Sequence, residues 1–196
     1  MGKIFCLMGK SSSGKDTIYR ELFKRPDISL KKIIPYTTRP IREGEEEGRE
    51  YHFCNEDQVT QLQNADKIVE LRTYDTVYGV WKYFTVDDGQ VDLEDNSYLL
   101  IGTLETYVKI RQYYGAAQVV PVYIEVEDGE RLLRAIAREK EQMIPKYTEM
   151  CRRFLADSED FSEEKLKEAG VSVRFENEKL ENTIDKVAAY IRQQVC

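Results

Sequence analysis

One short stretch, KIFCLMGKSSSGKDT at 3–17, limits what the chain can fold into. The apolar run KIFCLM passes directly into a Gly-x-x-x-x-Gly-Lys loop at 9–15. A helical pattern, DTIYRELFKR, follows, and Pro26 stops it. A buried strand that turns through glycines into a helix start forms a cradle for phosphate. The backbone N–H groups of Gly9, Lys10, Ser11, Ser12, Ser13 and Gly14 can wrap phosphate oxygens. Lys15 can reach the β and γ groups, and the helix N-terminus adds positive potential.

The remaining chain keeps this rhythm. Apolar strand candidates recur at 97–102 (SYLLIG) and 118–126 (QVVPVYIEV), with VSVRF at 171–175 as the last. Between them LETYVKIRQYYG has helical character, and Leu180, Ile184, Val187, Ala188, Ile191 and Val195 lie at helical spacing. Apolar strands alternating with helices predict an α/β fold, a parallel sheet flanked by helices of the P-loop NTPase type. Two polar, arginine-bearing regions interrupt the pattern. We read them as a mobile arm at 36–92 and a lid at 128–169, over a core formed by 1–35, 93–127 and 170–196, all within one domain. Within the arm, YHF at 51–53 and KIVELRTY at 67–74 read as strands around a polar helix near 55–65.

Composition narrows the ligand. The formal net charge of −7 over 196 residues argues against a general nucleic-acid binder, so an anionic ligand needs a local cluster of Arg and Lys. Cys6, Cys54, Cys151 and Cys196 are scattered without CxxC spacing, and His52 is the single histidine, which suggests neither a zinc site nor a disulfide framework. The opening segment has no export signal and no membrane helix. The expected setting is cytoplasmic, with no membrane and no protein partner indicated.

Asp16 stands where such loops place Ser or Thr. A carboxylate supplies the oxygen that Mg²⁺ requires, so Asp16 is a candidate metal ligand. Alternatively it only caps the helix, with Thr17 beside it lending a hydroxyl.

The segment YTTRPIREGEEEGREYHF, 36–53, resembles the monophosphate-binding segment of guanylate kinases, TTRxPRxGExxGxxYxF, in residues and spacing. Arg39 and Arg42 on this turn-rich arm can clamp a phosphate, and Tyr51 can donate a hydroxyl to it. The resemblance extends along most of the chain. It implies that Glu70, in IVEL, contacts guanine, and that Tyr78 and Gly79, in VYGV, match the Tyr-Gly of the family's YGxS. Arg134 and Arg138 repeat its RxxxR spacing, Arg153 in CRRFLADSEDF falls on the catalytic lid arginine, and Asn177 matches an asparagine after the last strand.

The chain also departs from that pattern. Val80 replaces a hydroxyl residue at the guanine O6, and Pro35 replaces a serine near the phosphate. Ile101 and Thr103 replace both aspartates of the family's LDIDxQG. The acid lost at 101 and the acid gained at 16 suggest a carboxylate relocated within the metal site.

The resemblance therefore implies an ATP-dependent, Mg²⁺-assisted nucleoside monophosphate kinase with GMP as the leading acceptor. Lys15, Arg39, Arg138 and Arg153 are its expected catalytic groups. A P-loop kinase for another nucleotide or small molecule, and a non-catalytic binding module of the same fold, are the alternatives.

Overall fold

A computed structural model describes residues 1–76 and 79–195. The chain opens with β1 (Ile4–Met8), α1 (Lys15–Leu22) and β2 (Lys31–Lys32). Next come β3 (Tyr36–Thr37), β4 (His52–Phe53), α2 (Glu56–Asn64), β5 (Ile68–Thr76) and β6 (Gly79–Val86). The chain continues through β7 (Tyr98–Ile101), α3 (Leu104–Tyr114) and β8 (Val119–Glu125). Three helices follow, α4 (Asp128–Lys140), α5 (Tyr147–Asp160) and α6 (Glu163–Glu168), and the last elements are β9 (Arg174–Glu176) and α7 (Leu180–Val195).

Five strands form a parallel sheet in the order β2-β7-β1-β8-β9, with β1 at its centre. All five residues of β1 are buried, because both faces of the sheet are covered. Ile4, Cys6 and Met8 point into a core with Tyr98, Leu104, Ile110 and Leu166. Phe5 and Leu7 point the other way, into a core with Ile18, Leu22, Ile184 and Val187. This period of two explains why β1 reads as an unbroken apolar run rather than an alternating one. Pro121 is tolerated inside β8 because β9 pairs only from Tyr123 onward, so at Pro121 the strand has β1 alone beside it.

The arm is built on a second, four-stranded sheet in the order β4-β3-β6-β5. Its strand β6, GVWKYFTV, pairs antiparallel with both β5 and β3 and does not figure in the sequence reading. One face of this sheet packs Phe84, Val86, Ile68 and Leu71 on Val59 and Leu62 of α2. Asn55 and Gln58 close a capping box at the start of α2.

Two boundaries differ from the sequence reading. The first helix ends at Leu22, short of the expected run to Arg25. The last strand is Arg174–Glu176 rather than 171–175, and Val171 instead buries itself in the core beside α6. Among the described residues, no helix is long and apolar enough to cross a membrane.

Candidate active site

The glycine loop follows the carboxyl end of the central strand, where open α/β sheets present their ligands. Its glycines are required there. A Cβ on Gly9 would lie 2.6 Å from the Ile124 carbonyl oxygen, and one on Gly14, at φ +85°, would lie 2.6 Å from Asn177 Nδ2. Ser12 sits at φ 64°, a conformation that non-glycine residues rarely adopt. The hydroxyls of Ser12 and Ser13 are buried and, among the described residues, have no hydrogen-bond partner. Unpaired buried hydroxyls at a turn into a helix suit a ligand rich in acceptor oxygens.

The loop is held from outside by three elements. Asn177 Nδ2 donates to the Ser13 carbonyl at 2.8 Å, and Arg134 donates to the Asn177 carbonyl at 3.2 Å. Arg131 of α4, only 1% exposed, donates to the Ser11 carbonyl at 3.1 Å and to Asp128. Its guanidinium lies 4.5 Å from the centre of the Phe154 ring, which ties α4 to α5. From α5, Arg153 reaches the Ser11 hydroxyl at 3.2 Å, while the Asp157 carboxylate accepts the Ser11 N–H at 2.7 Å. The lid thus brings two cations, Arg131 and Arg153, and one anion, Asp157, onto the glycine loop. Arg138 lies on the exposed side of α4.

Lys15 and Asp16 occupy the first turn of α1, with Nζ and Oδ2 3.7 Å apart. The Asp16 side chain is 76% exposed. The N-cap is Gly14 and no side chain caps it, so Asp16 contributes to this helix start only through its charge. Among the described residues no cluster of three or more His, Cys, Asp or Glu could hold a metal. Mg²⁺ itself needs only one or two carboxylates and completes its shell with phosphates and water. Asp16 and the neighbouring Thr17 hydroxyl are suitable oxygen donors.

On the arm, Arg39 is 3% exposed, and its fork meets the Glu45 carboxylate at 2.8 and 2.9 Å. The guanidinium rests on the rings of Tyr51 and Phe53. Burial disfavours its charge, but the hydrogen bonds to Glu45 hold its pKa above the ordinary arginine value. Those same bonds hold the Glu45 carboxyl below its usual range. Arg42 donates its backbone N–H to Glu45 and keeps its side chain exposed. Tyr51, Tyr83 and Tyr74 contact edge to face in series, leading from Arg39 across the sheet. His52 bonds Glu47 at 2.9 Å and packs on Tyr36, bracing the arm.

Glu70 is buried, and its carboxylate accepts from Arg72 Nε at 3.0 Å and from the Thr85 hydroxyl at 3.0 Å. Burial works against the Arg72 charge, yet the facing Glu70 raises its pKa above the ordinary value. Gly79 opens β6, Val80 beside it is 51% exposed, and Tyr78 lies outside the described residues. Thr103 caps α3, accepting the Thr106 N–H. A cavity of about 1170 Å³ separates β5 from α3 and the end of the lid.

A family model described as guanylate kinase matches residues 1–194. The chain belongs to the guanylate kinase family. It is therefore a nucleoside monophosphate kinase, a phosphotransferase. Among curated relatives, a guanylate kinase from Anaplasma phagocytophilum (strain HZ) is 24% identical, across 99% of this chain and 88% of the relative. The crystal structure of guanylate kinase from Anaplasma phagocytophilum superposes with a TM-score of 0.67 at 22% identity, covering 98% of this chain and 86% of that one. The sequence reading did not name Glu45, Arg72, Arg131 or Asp157, whose contacts the structure places on Arg39, Glu70 and the glycine loop. A signal existed for Arg72, which stands two positions from Glu70 on a strand and so shares its face.

Proposed function

We propose that the chain transfers the γ-phosphoryl group of ATP to GMP, giving ADP and GDP. The observation that carries this reading is the glycine loop at the end of the central strand, met by Arg153 from the lid at the Ser11 hydroxyl. Phosphoryl transfer needs little covalent chemistry from a protein and much positioning of charge. Lys15 and the loop N–H groups hold the donor phosphates. Arg153, with Arg138 swinging in from the exposed side of α4, balances charge on the transferred group and excludes water. Arg39, Arg42 and Tyr51 hold the acceptor phosphate, and the Glu70–Arg72 pair faces its base. Mg²⁺, held by Asp16 and Thr17 together with the nucleotide, would supply charge neutralisation at the β and γ oxygens. The arm and lid move as the cleft closes, and the protein works in the cytoplasm.

The alternatives are not favoured. A binding module that had lost catalysis would not need Lys15 in a formed loop with a lid arginine on it. A coupled ADP-release assay across GMP, dGMP, AMP, UMP and CMP tests the proposal. The highest kcat/KM is expected for GMP, and a clear preference for another acceptor would refute it.

A further inference from the structure

Glu70, Arg72 and Tyr74 alternate along β5, so they share the face of the arm sheet turned away from α2. Their cross-strand partners on β6 are Thr85, Tyr83 and Trp81. Arg72 and Tyr74 line the 1170 Å³ cavity together with Thr103, Lys109 and Asp160. Glu70 is not part of that lining. Its side chain is 0% exposed, against 15% for Arg72, and Arg72 and Thr85 both bond its carboxylate. The group offered to a ligand from this pair is a guanidinium, not a carboxylate.

We propose that Arg72 selects the acceptor's base, donating to the O6 and N7 edge of guanine, and that Glu70 is the positioning residue that aims it. This rests on the GMP kinase activity proposed above. A guanidinium only donates, so it requires acceptors. Guanine presents adjacent acceptors at O6 and N7, which match the planar fork; adenine places an amino donor at the first of these positions. Arg72 Nε and one Nη donate to the Glu70 carboxylate at 3.0 and 3.5 Å, which fixes the plane of the guanidinium and leaves the outer N–H groups of its two Nη atoms for a ligand in the cavity that Arg72 lines. Arg72 thereby supplies an O6 donor on a chain whose position 80 is a valine, half-exposed on the hairpin and without a polar group. The purine's 2-amino group is not used for recognition.

Acceptor analogues on the wild-type enzyme separate this from recognition by Glu70. Inosine monophosphate keeps O6 and N7 and lacks only the 2-amino group. Its kcat/KM should fall within about threefold of that for GMP, whereas AMP should be lower by roughly 10- to 100-fold, the scale of one bidentate contact. If GMP is used and inosine monophosphate is as poor as AMP, a carboxylate reading the 2-amino group is responsible and the proposal is wrong. If none of the three is phosphorylated, the GMP kinase reading itself fails, and this proposal fails with it. Arg72→Lys provides the second arm. It keeps the charge opposite Glu70, so the fold is retained, but it loses the fork. The GMP-to-AMP ratio of kcat/KM should shrink at least about fivefold, mainly through the KM for GMP. An unchanged ratio in folded Arg72→Lys would show that Arg72 serves structure alone.

Discussion

The Asp157 carboxylate sits on the N–H of Ser11; on the proposed function the donor phosphates use that group, so ATP has to displace the carboxylate. Replacing Asp157 with Ala removes this competitor. The bond is 2.7 Å long and carries a full charge, and the Asp157 side chain is 19% exposed, with Arg131 3.7 Å away. Charged hydrogen bonds contribute about 1.5–3 kcal/mol. The partial exposure favours the lower figure, since water screens the carboxylate. At about 1.4 kcal/mol per decade, Asp157→Ala should lower the Kd for ATP about tenfold, with a ceiling near 100-fold. Arg131 keeps Asp128 and the Ser11 carbonyl, so the lid should still fold. Calorimetric titration with ATP in the absence of acceptor measures the effect directly. Asp157→Asn, which can accept from the amide without a charge, should fall between wild type and Ala. An unchanged or weakened ATP affinity in folded Asp157→Ala would refute the competition argument.

Other outcomes follow from the same contacts. Arg39→Lys keeps the charge but cannot fork onto Glu45 or a phosphate, so kcat/KM for the acceptor should fall by the equivalent of about 1–3 kcal/mol in steady-state assays. Glu45 has a depressed pKa in the folded protein, so its contribution to stability is full above the ordinary glutamate range and is lost as pH falls through the folded value. A Tm profile should therefore show a drop on acidification that is smaller in Glu45→Gln. If Asp16 serves Mg²⁺, Asp16→Ser should move the Mg²⁺ requirement to higher concentration, and adding Ile101→Asp should recover part of it; superimposable Mg²⁺ titrations of wild type and Asp16→Ser would remove Asp16 from the metal site.

The phosphate loop was legible because its constraints are local. Gly9 and Gly14 need backbone freedom within a few residues of the strand and helix they join, and β1 shows its burial on both faces as an unbroken apolar run. The arm reads in sequence as a phosphate clamp, whereas in the structure the Arg39 fork lies on Glu45; that bidentate contact depends on how the turn at Arg42–Glu45 closes, which spacing alone does not give. The strand Gly79–Val86 escaped attention although its aromatic and β-branched residues favour a strand; they do not form an apolar run because one face of the sheet is turned away from α2. The contact of Asp157 with Ser11 joins residues 146 positions apart. No periodicity encodes such a pair, and only the packing of α5 against α4 creates it. The last strand was misplaced because Val171 and Val173 bury themselves against the core without pairing, and apolarity does not distinguish these two fates.

On the proposed function the loop, lid and arm form one phosphoryl-transfer site. Incubating the protein with ATP labelled at the γ-phosphate, GMP and Mg²⁺, then locating the label, tests it most directly. The account predicts label in GDP, matched one for one by ADP, with Lys15→Ala reducing the rate by at least about 100-fold while the protein stays folded. Label recovered only as inorganic phosphate, or transfer to GMP that Lys15→Ala leaves intact, would contradict it.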